Sequence, residues 1–246
     1  MARAAEVPAA FVTAIEAAHH APAATSAGVI SSDFEVVFGG STFIAGRMAF
    51  TPSLSHVRME VEPADGTASA VYVFRDGEAF VSPASHRRAS GPDARFHVLT
   101  WPYFVALPYK LNDPGTRFEP ASAAAPAPGL TTPPMRMTFA EGVGDAPDDW
   151  YLLFKDDADR LAAAAYIVSY GVEDPENASP SVILYDGFED VSGLPVATRW
   201  TFHHYDPVGG VRGEPKGTAT LSRLMVMPFD ETLFEVPADA RSVPAP

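Results

Sequence analysis

The residues that most readily suggest chemistry are seven histidines, four of which form two adjacent pairs. His203 and His204 lie on a predicted strand, so their side chains point to opposite faces and cannot bind one metal ion together. His19 and His20 are consecutive at a predicted helix end, whereas two residues that share one face of a helix are about one turn apart. The spacing of the histidines therefore predicts no metal site.

The aspartates and serines likewise form no motif of a catalytic or calcium site. Asp156, Asp157 and Asp159 lack the glycine and the distal glutamate of a calcium-binding loop, so they predict a hairpin turn. The chain contains no G-x-S-x-G, P-loop or dinucleotide-binding sequence. We therefore predict no cofactor. A hydrolytic enzyme stays open as an alternative, because a catalytic triad is recognised by geometry and not by sequence position.

The longest aromatic-rich stretch runs over 95–119 and offers apolar contacts instead of acid–base chemistry. Gaps of three and four residues predict one face of a helix, formed by Phe96, Leu99, Tyr103, Phe104 and Leu107. Because a proline is tolerated in a first helical turn, Pro102 predicts two short helices, the second beginning near Thr100. The stretch ends at 112–115, Asn-Asp-Pro-Gly, which predicts a type II turn.

The rest of the chain must position this segment, and its patterns predict mainly short strands. Phe34, Val36 and Phe38 alternate with other residues before a Gly-Gly hairpin turn. A helix is predicted over 9–20 and ends before Pro22. Further strands are predicted over 42–50, 55–61, 70–74, 78–82, 135–139, 149–155, 160–170, 181–188, 197–205 and 218–227. The alanines at 162–165 favour a helix, but Tyr166 and its alternating neighbours favour a strand.

Roughly ten strands, two helical segments and no βαβ alternation predict an antiparallel α+β fold. We expect a large curved sheet packed on helices. A closed barrel is an alternative, but a half-open barrel with helices packed on its concave face fits the helical segment better. One domain over 1–246 is predicted, with a Pro/Ala-rich loop at 121–134, a Gly/Pro-rich link at 207–217 and a tail at 237–246.

Charge and composition restrict the possible partners. Lys and Arg number 17 against 31 Asp and Glu, and the net charge of −14 would repel nucleic acid and anionic lipid surfaces. The absence of cysteine excludes thiol catalysis and disulfides. Glu6 and Glu16 flank the apolar residues near the N-terminus, so we expect no signal peptide or lipid anchor within this chain.

Three segments resemble a known family: LPYKLNDPGTRFEP, GVGDAPDDWYLLFKDDADRLAAAAYIVSY and VSGLPVATRWTF. They are similar to an uncharacterised bacterial family, often of lipoproteins, in the lipoprotein-carrier superfamily of the LolA/LolB type. The resemblance extends in element order over 10–242. It implies a half-closed antiparallel barrel plugged by helices. By analogy with members that bind acyl chains, it also implies an apolar ligand and a periplasmic or outer-membrane-associated location.

A hydrophobic hollow needs large apolar or aromatic side chains, and we predict that ten residues contact the ligand: Phe96, Leu99, Trp101, Tyr103, Phe104, Leu107, Tyr109, Lys110, Tyr166 and Trp200. Further aromatic side chains from the sheet are candidates for its wall: Phe34, Phe50, Tyr72 and Phe74. Lys110 and Arg117, beside Asn112 and Asp113, could bind an anionic head group, although such clusters more often pair internally.

Two interpretations of these aromatic residues stay open beside the enzyme. In the first, the protein is an exported carrier or binding protein whose half-barrel holds a lipid, an acyl chain or a lipoprotein. In the second, it is a structural or protein-interaction module whose hollow is filled by its own side chains, because regularly spaced aromatic residues usually form a core. An open apolar cavity would favour the first interpretation.

Overall fold

The computed structural model describes residues 2–62, 69–88 and 91–246, without the side chains of 2–7 and 176. Short runs of residues, many of them with alternating burial, form one antiparallel sheet. Its thirteen strands in the described residues are β1 Val29–Phe38, β2 Ser41–Phe50, β3 His56–Glu62, β4 Ala70–Arg75, β5 Glu78–Ser82, β6 Thr116–Pro120, β7 Met135–Phe139, β8 Tyr151–Lys155, β9 Leu161–Tyr166, β10 Ser181–Val191, β11 Leu194–Asp206, β12 Gly210–Met227 and β13 Arg241–Val243.

The spatial order of the strands is β13-β5-β4-β3-β2-β1-β12-β11-β10-β9-β8-β7-β6. Neighbouring strands are mostly consecutive in the chain, and the exceptions are β1 beside β12 and β13 beside β5. The two outer strands, β13 and β6, are not paired with each other in the described residues. The sheet is therefore curved but open, which confirms the predicted half-open barrel of the α+β class.

Three α-helices accompany the sheet in the described part of the chain: α1 Ala2–Ala18, α2 Ala21–Ser26 and α3 Ala94–Ala106. Short 3-10 helices are formed by Leu107–Tyr109, Pro175–Asn177 and Glu231–Phe234. The first predicted helix does end before Pro22, but this proline lies in the first turn of α2, which the sequence analysis missed.

The prediction of two helices around Pro102 is wrong, because α3 is one continuous helix with this proline inside it. Asp93 caps its first turn, accepting a hydrogen bond from the Phe96 N–H at 3.0 Å. The proline removes one backbone hydrogen bond. Burial of Val98, Trp101 and other residues around the helix holds the segment helical despite this loss.

Three segments for which no strand was predicted also contain one. The link at 207–217 is mostly strand, because β12 begins at Gly210 and pairs with β11. The tail at 237–246 contains β13, in which Ser242 pairs with Phe80 of β5. The segment after the Asp-Pro-Gly turn forms β6, where Phe118 pairs with Met137. The alanine-rich run is β9, as predicted, although this strand ends at Tyr166.

The core lies between the helices and the sheet. Phe50 and Tyr72 are fully buried in it, together with Phe34. Helix α3 contacts β3, β4 and β5, while another part of its surface faces β7 to β9. The helix therefore lies across the hollow of the half-barrel, and this position creates the candidate site.

Candidate functional site

A cavity of about 370 Å³ lies between α3 and strands β7 to β9. Most of its wall is apolar, and the aromatic rings in it belong to residues that include Phe96, Tyr103, Phe104, Phe139, Tyr151 and Tyr166. Its volume is within the range of small-molecule sites, roughly 300–1,000 Å³, and near the lower end. The hollow of the half-barrel is thus not completely filled by the protein's own side chains.

Helix α3 forms one side of the cavity through residues spaced along a single face. Phe96, Leu99, Thr100 and Tyr103 occupy positions i, i+3, i+4 and i+7, and Phe104 extends the same wall. The helical periodicity that predicted one apolar face therefore also identifies most of the residues that α3 contributes to the cavity wall.

The sheet forms the opposite side through side chains that leave neighbouring strands on one face. Tyr151 of β8 pairs directly with Tyr166 of β9, and their rings lie 6.1 Å apart in a stacked arrangement. Tyr103 of α3 approaches the Tyr151 ring at 5.8 Å, and Phe104 approaches the Tyr166 ring at 5.0 Å. These distances are typical of favourable aromatic contacts, so helix and sheet join in one aromatic cluster.

Three tyrosine hydroxyl groups on the wall have no hydrogen-bond partner in the described part of the chain: those of Tyr103, Tyr151 and Tyr166. Four other tyrosine hydroxyls are paired, those of Tyr72, Tyr170, Tyr185 and Tyr205; that of Tyr185, for example, donates to the Phe104 carbonyl at 3.1 Å. Burial raises the pKa of all three wall tyrosines above the usual value, so they are neutral donors at physiological pH. They are free to bind a polar group of a ligand.

Asp149 adds a carboxylate to the same wall. Its Oδ1 atom accepts hydrogen bonds from the backbone N–H and the hydroxyl of Ser169, at 2.6 and 2.7 Å. Its Oδ2 atom has no hydrogen-bond partner among the described residues. Burial, with a smaller effect of the Asp148 charge, raises the pKa of Asp149 to about 6. A perturbed carboxyl group beside a cavity is a common property of functional sites.

The other charged side chains on the wall are already neutralised by partners. Lys110 donates to the Ser53 carbonyl at 2.9 Å and forms an ion pair with Asp113. Asp145 binds the guanidinium of Arg95 through two hydrogen bonds, one of them at 2.9 Å. Asp149 is therefore the one wall carboxylate without a cationic partner among the described residues.

The predicted anionic head-group site is not assembled in the structure. Lys110 is on the wall, but its charge is paired with Asp113. Asn112 donates to Glu16 at 2.7 Å, and Arg117 is exposed on β6. Lys110 and Asp113 instead pair with each other, which is the alternative interpretation of this cluster.

Six of the ten predicted ligand contacts lie on the cavity wall: Phe96, Leu99, Tyr103, Phe104, Lys110 and Tyr166. Phe74, a further candidate, is also there. The indole of Trp101 donates to His97 at 3.0 Å, and that of Trp200 donates to the Ala197 carbonyl at 3.0 Å. Neither tryptophan lies on the cavity wall. Leu107 and Tyr109 are also not on the wall: Leu107 is fully buried, and the Tyr109 ring is near His19.

Sequence reasoning missed Phe139, Tyr151 and Asp149 as wall residues. The first two belong to predicted strands, and alternation shows that they share a face with their neighbours. Asp149 belongs to no motif, so only the fold reveals its position. Within the described ranges, no group of three or more His, Asp and Glu side chains is arranged to bind a metal ion.

The buried His19 instead has a structural position. Its Nε2 atom accepts the Leu161 N–H at 2.9 Å, and its Nδ1–H donates to the Pro195 carbonyl at 3.3 Å. Burial lowers the pKa of His19 to about 4, so the ring is neutral. It connects the end of α1 with β9 and β11.

Comparisons with known proteins identify the fold. No family model matches the chain, and no curated protein matches it. Among solved structures, a LolA superfamily protein from Nitrosomonas europaea has a TM-score of 0.55 and 10% identity, over 88% of this chain and 97% of that chain. A DUF1329 family protein from Desulfovibrio piger has a TM-score of 0.54 and 10% identity, over 91% and 96%.

A third similar structure is a domain from Vibrio parahaemolyticus that is named for outer membrane lipoprotein sorting. It has a TM-score of 0.54 and 10% identity, over 90% of this chain and 95% of its own. None of the helices in the described ranges has the length and apolar character needed to cross a membrane. The sheet order, the helices and these similarities together show that the protein has the LolA-like fold.

Proposed function

We propose that this protein is a non-enzymatic binding or carrier protein for an apolar ligand, such as a lipid or an acyl chain, that occupies the cavity between α3 and the sheet. The observation that supports the proposal most strongly is the mainly apolar cavity of about 370 Å³, lined by aromatic rings and by three unpaired tyrosine hydroxyls. Burying an apolar chain there would gain about 25 cal/mol for each Å² removed from water.

The size of the cavity favours a small occupant. It is near the lower end of the range for small-molecule sites, so we propose a single-chain molecule or one acyl chain of a larger lipid or lipoprotein. We further propose that the protein acts in the bacterial periplasm or beside the outer membrane. One structural neighbour is named for outer membrane lipoprotein sorting, which supports this location by analogy alone.

Filling the cavity from within tests the proposal. Leu99→Trp places a larger side chain on the cavity wall, while Leu224→Trp makes the same change at a half-buried leucine outside the cavity. N-phenyl-1-naphthylamine, a neutral dye whose emission rises in apolar sites, is titrated into each protein and excited directly. Overfilling a site costs roughly 1–3 kcal/mol. We therefore expect L99W to bind the dye at least about tenfold more weakly than the wild type does.

The control variant should bind the dye like the wild type. Circular dichroism and thermal unfolding establish that both variants are folded. Absence of dye binding to the wild type, or equal binding by the wild type and L99W, would contradict the proposed function and favour the interaction module.

A further inference from the structure

The uncompensated charge on the cavity wall is negative. Lys110 is paired with Asp113, and Asp145 is paired with Arg95, whereas the Asp149 carboxylate accepts hydrogen bonds only from the uncharged Ser169. A ligand in this cavity therefore meets one carboxylate whose charge no cation balances within the described residues.

The surroundings of Asp149 also suit a cation. Asp149 lines the same cavity as Tyr103, Tyr151 and Tyr166, and its negative charge contributes to the raised pKa of all three phenols. Tyr151 is 6% exposed and Tyr166 is 7% exposed; both line the cavity, and neither hydroxyl has a hydrogen-bond partner in the described ranges. Aromatic faces attract ammonium groups, and each phenol oxygen can accept a hydrogen bond from one.

We propose that the cavity selects single-chain amphiphiles with an ammonium head group, and that Asp149 is the residue that determines this specificity. The inference rests on the proposed function, since it names the class of ligand for the same cavity. The ammonium would pair with the carboxylate while the alkyl chain lies among the rings. The acidic surface of the protein, with a net charge of −14, would also attract a cation from solution.

An anionic amphiphile would be disfavoured for the opposite reason. A fatty-acid carboxylate at the same place would stand against the Asp149 carboxylate in a partly buried site, where like charges repel strongly. A fatty alcohol would fall between the two, because its hydroxyl can donate to Oδ2 without forming an ion pair.

Three ligands of equal chain length test the proposal: dodecylammonium, dodecanol and dodecanoate. Each ligand is used below its own aggregation concentration to displace N-phenyl-1-naphthylamine from the protein at pH 7.5. We expect dodecylammonium to bind the wild type at least about tenfold more tightly than dodecanoate, with dodecanol between them.

Asp149→Asn is the decisive variant. The asparagine Oδ1 atom can still accept both hydrogen bonds from Ser169, so the change removes charge but keeps the local structure. Asp148→Asn is the matched control, since it removes a neighbouring charge that is exposed and outside the cavity wall. D149N should lose most of the preference for dodecylammonium while retaining dodecanol, and D148N should keep the wild-type preference.

The possible results separate the two proposals. If all three ligands bind the wild type equally well, or if dodecanoate binds best, the ammonium specificity is refuted while the apolar-ligand function stands. An unchanged preference in D149N refutes the role of Asp149. If neither the dye nor any of the three amphiphiles binds, both proposals are refuted.

Discussion

Replacing Asp149 by asparagine is expected to stabilise the protein at neutral pH. Burial raises the pKa of this carboxyl from 3.8 to about 6, so the folded protein binds a proton more tightly than the unfolded chain. Between these two values stability therefore falls as the pH rises. Above about pH 6 the folded protein carries the full cost of a half-buried carboxylate, which the asparagine variant does not have.

The magnitude follows from the size of the pKa change. A rise from 3.8 to about 6 corresponds to about 3 kcal/mol, at about 1.36 kcal/mol per pKa unit. Because Asp149 is only partly buried, solvent screening reduces the expected gain to about 2 kcal/mol. The two hydrogen bonds from Ser169 do not add to the difference, since the asparagine oxygen accepts both.

Urea unfolding of the wild type and D149N at several pH values measures this effect. The variant should be more stable by about 2 kcal/mol at pH 7.5, and the difference should shrink towards zero as the pH approaches 3.8. Asp148→Asn, at an exposed carboxylate, should change stability by less than about 0.5 kcal/mol. A D149N protein that is less stable than the wild type at pH 7.5, or a gain in stability that is independent of pH, would show that ionisation of the partly buried Asp149 carboxyl does not cost stability.

Two further predictions concern groups outside this carboxylate. The pKa of His19 is lowered from 6.5 to about 4. Between these two pH values the unfolded chain binds more protons than the folded protein does. The stability that His19 contributes is therefore lost as the pH falls through this range. His19→Gln, which disturbs the bond from Leu161, should therefore destabilise the protein more at pH 7 than at pH 4.5, and a pH-independent difference in urea unfolding would contradict this. Tyr185→Phe should cost about 1 kcal/mol by removing the hydrogen bond to Phe104. Tyr103→Phe should change stability by less than about 0.5 kcal/mol, and equal losses in the two variants would show that the Tyr103 hydroxyl is bonded after all.

Sequence patterns were sufficient for most of the sheet, because several buried strands carry their own alternation. Phe34 and Val36 are buried on either side of the exposed Glu35, as a period of two requires. The outer strands β6 and β13 gave too weak a signal, since an edge strand such as Thr116–Pro120 buries little of its surface. Helix α3 continues through Pro102 because tertiary packing outweighs the local preference.

The candidate site was predictable mainly on its helical side, although Tyr166 and Phe74 of the sheet were also predicted and lie on the wall. Periodicity places Phe96, Leu99 and Tyr103 on one face of α3, but it does not show that this face meets a cavity while Trp101 faces the core. The other side depends on pairing between β8 and β9 and on the loop that carries Asp149. Such long-range placement leaves no local pattern in the sequence.

Photo-crosslinking with a neutral twelve-carbon alcohol that carries a diazirine in its chain shows whether an apolar ligand occupies the cavity. After irradiation of the protein with this probe, mass spectrometry locates the labelled residues. We expect labelling concentrated in α3, β8 and β9, and we expect this labelling to be lost in L99W but not in L224W. Labelling confined to exposed apolar residues such as Val208 and Phe229, or labelling unchanged in L99W, would contradict an apolar-ligand site in this cavity.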